Sequence, residues 1–262
     1  MSVERRKFLK MAGLTALGLA GGASAKVLAQ DSLQADTIPA EIPRGPLTAK
    51  RWAMVIDIRK CQEAGECDDC SKACHLIHNV PDFNNPKDEI KWIWKEGFEH
   101  AFEEQDHRFI QESLKHLPTP VLCNHCDNPP CVRVCPTQAT WKRDSDGIVM
   151  MDWHRCIGCR YCIVACPYGS RSFNWRDPRP FIDEIQEDFP TRSRGVVEKC
   201  TFCSEKLARG ELPSCVTACK ENAMIFGDLE DPNSEIRKLL SERFTIRRRP
   251  VLGTQPEVYY IV

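Results

Sequence analysis

The chain of 262 residues lacks the features that would place it in several common classes of protein. Beyond residue 30, no apolar run approaches the roughly 18 residues that a transmembrane helix needs. Its 36 lysines and arginines are balanced by 37 aspartates and glutamates, so no basic excess favours nucleic acid. We find no phosphate-binding loop, no dinucleotide-binding motif and no Ser-His-Asp pattern, and therefore predict no substrate site and no catalytic residue. The C-x-x-C-H sequence that attaches c-type haem is also missing, because Ser71 follows Cys70.

Cysteine, in contrast, is abundant, with 16 residues in the chain. These cysteines form four groups of four, and three residues separate the last two members of every group. The groups are Cys61, Cys67, Cys70 and Cys74; Cys123, Cys126, Cys131 and Cys135; Cys156, Cys159, Cys162 and Cys166; and Cys200, Cys203, Cys215 and Cys219. A partition this regular predicts shared ligation rather than scattered thiols.

The third group has the most specific spacing. From Cys156 to Pro167 it reads C-x2-C-x2-C-x3-C-P, the run found in bacterial two-cluster ferredoxins. In that run, three thiolates hold one cluster and the fourth belongs to another, so a partner group is required. The second group supplies one that also ends in Cys-Pro, at Cys135. The fourth group follows the same logic with eleven residues between Cys203 and Cys215.

Two other kinds of site compete with iron-sulfur clusters. Disulfides are natural in an exported protein, although C-x2-C neighbours are poorly placed for structural bridges. Structural zinc also uses paired C-x2-C units, but usually holds the two pairs apart with a spacer. Iron-sulfur ligation is the favoured interpretation, and a zinc-stabilised structural or interaction protein is the alternative from another class.

The N-terminal residues predict an export signal over residues 1–29. Arg5 and Arg6 belong to a basic stretch that precedes an uncharged apolar run over 11–25, which is shorter than a membrane span. The pair resembles a twin-arginine signal, which exports folded proteins, although a helical membrane anchor is an alternative. Removal of residues 1–29 takes away five basic residues and one acid, leaving 31 against 36 and a net charge of −5. Residues 30–50 contain three prolines and predict an extended lead-in.

Between the cysteine groups the sequence predicts ordinary structural elements. The lead-ins to the first and third groups, 54–61 and 149–156, are rich in β-branched and large apolar residues and predict short strands. Apolar spacing predicts amphipathic helices over 98–117 and 234–244. The basic run Arg247, Arg248 and Arg249 is expected to be a solvated surface. We expect His75, His78 and His125 to pack beside clusters rather than ligate metal.

Several segments resemble a known family. They are CNHCDNPPC over 123–131, HRCIGCRYC over 154–162, ACPYGSRSFNW over 165–175, DPRP over 177–180 and GTQPEVYY over 253–260. From about Trp52 onward, the chain resembles the four-cluster ferredoxin-like iron-sulfur subunits of the molybdopterin oxidoreductase (DMSO reductase) superfamily and related membrane complexes. Its finer features look like the periplasmic iron-sulfur subunits of a complex associated with sulfite reduction.

This resemblance implies an α+β fold over residues 51–262, built from two pseudo-symmetric bacterial ferredoxin-like modules with short strands, helices and long cluster-binding loops. The first and fourth cysteine groups would form one module, and the second and third groups the other. It also implies four 4Fe-4S clusters ligated across the groups. The ligand sets would be Cys61, Cys67, Cys70 and Cys219; Cys74, Cys200, Cys203 and Cys215; Cys123, Cys126, Cys131 and Cys166; and Cys135, Cys156, Cys159 and Cys162. The first group departs from the family pattern, with five residues between Cys61 and Cys67.

The function implied is non-catalytic electron transfer. The expected partners are a membrane-integral quinone-interacting subunit and a multihaem cytochrome c, in the periplasm, with the protein bound peripherally to the inner membrane through them. The alternative within the superfamily is an electron-transfer subunit docked to a molybdenum enzyme, such as a polysulfide, tetrathionate or nitrite reductase.

Overall fold

The computed structural model describes residues 45–262, which form a mixed α and β structure with small sheets. The predicted export signal and most of the lead-in over 30–50 lie outside these residues. The strands are β1 (Trp52–Asp57), β2 (Ile93–Gly97), β3 (Pro118–Leu122), β4 (Thr140–Lys142), β5 (Val149–Met151), β6 (Ser172–Phe173), β7 (Val197–Glu198), β8 (Met224–Asp228), β9 (Thr245–Ile246) and β10 (Val258–Ile261). The helices are α1 (Ile58–Glu63), α2 (Asp69–Ile77), α3 (Phe98–Ala101), α4 (Glu112–Lys115), α5 (Pro130–Arg133), α6 (Tyr161–Ala165), α7 (Ser204–Ala208), α8 (Ser214–Thr217) and α9 (Glu235–Glu242). Within the described residues, no helix is both long and apolar enough to cross a membrane.

The largest sheet has four strands in the order β8-β1-β10-β9. β1 is buried along its whole length and lies between β8, to which it is antiparallel, and β10, to which it is parallel. At the end of β1, the Asp57 carboxylate accepts a hydrogen bond from the Arg59 backbone N–H at 3.1 Å. This N-cap starts α1 without a gap, because it satisfies one of the free N–H groups of the first turn. The strand therefore delivers the chain directly to Cys61.

Three two-stranded sheets support the other cysteine groups. β3 pairs with β2 and ends one residue before Cys123. β5 pairs with β4 and ends shortly before Cys156. β7 pairs with β6 and ends two residues before Cys200. Each cysteine loop consequently starts from a hydrogen-bonded strand, and the predicted strand lead-ins to the first and third groups are confirmed.

The hydrophobic core also includes cysteines. Its largest part surrounds Trp92 and contains Cys74, Cys123 and Cys200, among other buried cysteines. A second part joins Val149 and neighbouring apolar residues to cysteines of the second and third groups. The thiols of the buried cysteines thus lie where water is largely excluded, so their environment has a low dielectric constant.

The predicted helix over 234–244 is confirmed as α9. Ser234 is its N-cap and its hydroxyl accepts a hydrogen bond from the Arg237 N–H at 3.3 Å. Ile236 is fully buried in a third apolar group, with Val55 of β1. Burying an isoleucine side chain contributes about 1.5–3 kcal/mol, which secures this short helix to the sheet.

The single helix predicted over 98–117 is wrong. The structure has α3, a 3-10 turn at Glu103–Gln105 and the separate short α4. Phe98 and Phe102 do pack into the core, with ring centroids 4.8 Å apart. The following residues, 103–108, are all polar, and Phe109 is 77% exposed. The helix therefore stops where it has no further apolar side chains to bury.

The basic run over 247–249 is also not the solvated surface that the sequence predicts. Arg248 is buried and donates hydrogen bonds to the Ala101 carbonyl and to the Glu96 carboxylate, both at 3.1 Å. Arg249 donates to the Pro167 carbonyl at 2.6 Å. These contacts tie the segment before β10 to β2, to α3 and to the loop that follows Cys166.

Candidate iron-sulfur sites

All sixteen cysteines lie among the described residues, and each is a free thiol there. The alternative of a disulfide framework finds no support in this arrangement. The thiols gather at four places, which we call sites 1 to 4 in the order of the predicted ligand sets.

Site 1 is a small cavity lined by Cys61, Cys67, Cys70 and Cys219. Cys61 lies on α1 and Cys70 in the first turn of α2, whereas Cys219 comes from the far end of the sequence, after α8. Burial raises the pKa of the Cys61 thiol to about 12, and the charges of Cys219 and Cys70 act in the same direction. Such thiols resist ionisation in one another's presence unless a cation lies among them. This donor set therefore fits a metal cluster.

Site 2 is the most enclosed. Its cysteines, Cys74, Cys200, Cys203 and Cys215, are all buried. Burial raises the pKa of Cys74, and the neighbouring Cys203, Cys200 and Cys215 raise it further, so the four thiols lie close together.

The loop backbone also points donors at the sulfurs of site 2. The Phe202 N–H donates to Cys200 Sγ and the Ser214 N–H to Cys203 Sγ, both at 3.4 Å. Phe202 and Cys203 adopt left-handed backbone conformations, with φ of 54° and 49°. Two successive non-glycine residues in this region are strained, and such strain is typical of a functional loop.

Site 3 is a second small cavity, lined by Cys123, Cys126, Cys131 and Cys166. Arg171 and Tyr168 complete its wall, and none of its lining residues is acidic. Burial raises the pKa of Cys126, as does the neighbouring Cys123. As at site 1, four thiols in one dry cavity fit a cluster better than four independent protonated side chains.

Site 4 is only partly enclosed. Cys135, Cys156 and Cys159 are half-buried and only Cys162 is buried. Cys135 and Cys156 pack against the apolar group that contains Cys162, whereas Cys159 lines a surface groove. Although burial alone would raise it, the pKa of Cys135 is lowered by hydrogen bonds from the Thr140 backbone and other donors. Its sulfur is thus prepared to carry negative charge.

The sites follow one another in order. Cys70 of site 1 and Cys74 of site 2 lie one turn apart on α2. The thiols of Cys200 and Cys123 interact electrostatically across sites 2 and 3. Those of Cys162 and Cys131 do so across sites 4 and 3. The structure thereby brings together the cysteines predicted for sites 1, 2 and 3. For site 4 it places Cys135, Cys156 and Cys162 around one apolar group and Cys159 in a surface groove, and ligation of clusters at all four sites remains a prediction.

The three singled-out histidines lie beside the sites. Both ring nitrogens of His78 make hydrogen bonds. Nε2 lies 3.0 Å from Glu205 Oε1, and Nδ1 lies 2.8 Å from the Cys74 carbonyl oxygen. Burial alone would lower the pKa of His78, but hydrogen bonds to Cys203 and Glu205 raise it to about 9. His125 stacks on the Phe202 ring, with centroids 3.7 Å apart.

His75 has a different partner, because its Nε2 lies 3.2 Å from the Ile93 carbonyl. The side chains of His78, Cys203 and Glu205 offer ligand atoms within 4.8 Å of one another. Since Cys203 belongs to site 2, these three side chains are part of site 2 and not a separate metal site.

Two buried cations beside the sites escaped the sequence analysis. Arg171 Nη2 donates to Cys131 Sγ at 3.0 Å and to Thr140 Oγ1 at 2.8 Å. Lys199 is fully buried and donates to the carbonyl oxygens of Val149 and Cys200. The sequence does show a basic residue, Lys199, directly before Cys200 and another, Arg171, soon after Cys166. Sequence position does not reveal, however, that these side chains point inward.

Comparison with known proteins defines the class first. Residues 114–179, which include all the cysteines of sites 3 and 4, match the family model of a 4Fe-4S dicluster domain. This match supports iron-sulfur clusters, the kind of site that the cysteine spacing predicts.

Full-length relatives then define the family. The chain is 40% identical to the Hdr-like menaquinol oxidoreductase iron-sulfur subunit 1 of Archaeoglobus fulgidus, over 98% of this chain and 97% of that protein. It is 35% identical to a tetrathionate reductase subunit of Salmonella typhimurium (100% and 89%) and 34% identical to the protein NrfC of Escherichia coli (100% and 96%). The chain belongs to the family of iron-sulfur subunits of oxidoreductase complexes. It is an electron-transfer subunit and not a catalytic one.

Proposed function

We propose that the protein relays electrons through four 4Fe-4S clusters between a membrane-integral quinone-interacting subunit and a second redox partner. The observation that supports this most is the unbroken succession of four thiol sites, each adjoining the next. A 4Fe-4S cluster supplies a one-electron carrier whose potential depends on burial, charge and hydrogen bonds to sulfur. The chain's own residues hold the sulfurs, exclude water and supply those hydrogen bonds.

The proposed ligand sets are those of sites 1 to 4. They are Cys61, Cys67, Cys70 and Cys219; Cys74, Cys200, Cys203 and Cys215; Cys123, Cys126, Cys131 and Cys166; and Cys135, Cys156, Cys159 and Cys162. Protein purified without oxygen should contain about sixteen iron atoms and about sixteen acid-labile sulfides per chain. It should also show a broad visible absorbance that dithionite bleaches. Zinc without iron in such a preparation would instead establish the structural alternative.

We further propose that the complex is of the type associated with sulfite reduction, so that this subunit is of the DsrO type and its second partner is a multihaem cytochrome c. The full-length relative named as a menaquinol oxidoreductase subunit supports a quinol-reactive partner. Co-purification of a c-type cytochrome with the subunit from its native membrane is the expected result.

The second candidate is an electron-transfer subunit of a molybdenum oxidoreductase. The full-length similarity to the tetrathionate reductase subunit favours it. Recovery of a molybdopterin-containing subunit in the same complex, in place of the cytochrome, would decide for this candidate.

For the membrane-integral partner we propose a docking surface over site 4. The side chains of Ile157, Tyr161, Val164 and Trp175 are large, apolar and exposed around this site, and Val164 is 87% exposed. Site 4 also has three half-buried cysteines, Cys135, Cys156 and Cys159, so a partner seated here would lie close to a point of electron entry or exit. Contiguous exposed apolar side chains of this kind mark interaction surfaces.

The docking surface can be tested with Val164→Asp. This change should release the subunit from the membrane fraction while its iron content stays at the wild-type level. Phe109→Asp is the matched control, because Phe109 is also highly exposed but belongs to the segment between α3 and α4. Equal release by both variants would contradict the assignment of the surface.

Export by the twin-arginine route into the periplasm is also proposed, on the strength of Arg5 and Arg6. Clusters are assembled in the reducing cytoplasm, so a route for folded cargo suits a chain whose thiols must remain unpaired. Replacing both residues with lysine should keep the protein in the cytoplasm with its clusters loaded. Continued export of that variant would exclude this route.

A further inference from the structure

Two buried cations lie between neighbouring cysteine sites. Lys199 has no exposed surface and Arg171 is 4% exposed. Their hydrogen-bond acceptors are carbonyl oxygens, one hydroxyl and sulfur atoms, and include no carboxylate. An interior charge is costly unless an opposite charge lies nearby. The opposite charge available here is that of the cysteine sulfurs.

Arg171 lies between sites 3 and 4. Its guanidinium lines the site 3 cavity and donates to Cys131 Sγ at 3.0 Å. Arg171 also lines the surface groove that Cys159 of site 4 lines. An arginine guanidinium is charged at any ordinary pH, so this charge adjoins sulfurs of both sites.

Lys199 lies between sites 2 and 3. Its ammonium donates to the Val149 carbonyl, and Val149 forms part of the site 3 wall. It donates equally to the carbonyl of Cys200 in site 2. Site 3 is thus flanked by both cations, whereas sites 2 and 4 each adjoin one.

At sites 1 and 2, the other neighbouring cations have acidic partners. Beside site 1, Lys95 Nζ lies 2.9 Å from Asp68 Oδ1. Beside site 2, His78 Nε2 lies 3.0 Å from Glu205 Oε1. No acidic residue lines the site 3 cavity. The uncompensated positive charge of the described interior is therefore concentrated around site 3.

Building on the proposed function, we propose that Lys199 and Arg171 give the cluster of site 3 the most positive midpoint potential of the four. A thiolate-ligated cluster gains negative charge when it accepts an electron, so fixed positive charge favours its reduced state. An electron supplied by the quinol-reactive or haem partner then rests at site 3. The transfer moves one electron from the partner to the cluster of site 3.

Redox-titrated electron paramagnetic resonance of the full-length, anaerobically purified protein tests this assignment. Lys199→Met and Arg171→Met should each shift the most positive signal to lower potential, and both must shift the same signal. Lys199→Arg and Arg171→Lys keep the charge and should shift it less. Arg176→Met is the matched control, because it removes an exposed arginine paired with Asp88 at 2.9 Å and should leave the signal unchanged.

An unmoved signal in methionine variants that carry four clusters, or shifts of two different signals, would overturn the proposal. Fewer than four clusters in the wild-type protein would instead contradict the proposed function. If neither methionine variant assembles its clusters, the wild-type titration still tests the proposal. Sites 2 and 3 each have neighbours on both sides, so the first signal to appear should broaden twice as those neighbours are reduced; a signal that broadens once marks a terminal site, 1 or 4, and overturns the proposal.

Discussion

Gly158 shows how a single residue holds a cysteine loop in place. It has a left-handed φ of 68°, and a Cβ there would lie 2.3 Å from the Gly195 carbonyl oxygen. The loop between Cys156 and Cys159 can approach the segment before β7 this closely only because residue 158 has no side chain.

An alanine in the left-handed conformation costs about 1–2 kcal/mol. We expect Gly158→Ala to destabilise the protein by more than this, because the backbone around Gly195 must also move. Thermal unfolding of the loaded protein measures the effect. Gly169→Ala is the control: its φ is 66°, but no atom lies within 4 Å of the added Cβ. Equal effects of the two substitutions would show that the close approach to Gly195 does not matter.

Glu257 is a buried carboxyl group that makes stability depend on pH. Burial raises its pKa to about 7 from the ordinary 4.5, even though the Arg51 guanidinium lies 3.3 Å away. The charges of Asp127, Arg247 and Lys142 also act on it. In the unfolded chain the proton leaves near pH 4.5, so between these values the folded state binds more protons.

Stability should therefore fall as pH rises from about 4.5 to about 7, by roughly 3 kcal/mol at most from this group. Glu257→Gln should flatten this part of the pH profile and be more stable than the wild type above about pH 7. Unfolding midpoints at several pH values measure the difference. A constant difference between the two proteins from pH 4.5 to 7 would contradict the assignment.

Among the elements, α9 and the segment over 98–117 show which helices the sequence can predict. α9 combines an N-cap, Ser234, with one buried apolar face, and both signals are local. The other segment has apolar residues at helical spacing only at its two ends, and its middle is polar. Tertiary packing of Phe102 against Tyr260, with centroids 4.9 Å apart, then decides where α3 stops.

Ser234→Ala should cost about 1 kcal/mol, because the cap of α9 would be lost. Ser241→Ala is the control within the same helix, since the exposed Ser241 hydroxyl bonds only to the Lys238 carbonyl. Chemical unfolding should give Ser234→Ala a lower free energy of unfolding than Ser241→Ala. The reverse order would show that the cap does not limit the stability of this helix.

At the scale of the whole molecule, the first and last described strands, β1 and β10, lie next to each other in the centre of the largest sheet. β10 is parallel to β1, with Met54 opposite Val258 and Asp57 opposite Ile261. Because β1 leads straight into the helix carrying Cys61, the C-terminal strand supports site 1 from a distance of about 200 residues in the sequence.

Deletion of residues 258–262 should therefore remove the pairing of β10 with β1 and β9 and lower the iron content of the purified protein, starting with site 1. Removing only Val262, which is exposed and lies beyond β10, should leave the iron content unchanged. Retention of all the iron after the longer deletion would show that site 1 does not depend on this pairing.

The cysteine groups could be predicted from local sequence because ligand spacing is a short-range property. Three thiols within seven residues, as in the third group, can surround one cluster whatever the rest of the chain does. The strand lead-ins and α9 could be predicted for the same reason, since their signals lie within a few residues.

What the sequence could not reveal depends on contacts between distant segments. Only the folded chain shows that Arg248 is buried against Glu96 and that Lys199 and Arg171 point into the interior. A charged side chain has the same sequence pattern whether it faces water or sulfur. Its effect on the sites is set by burial and distance, and these are properties of the tertiary structure alone.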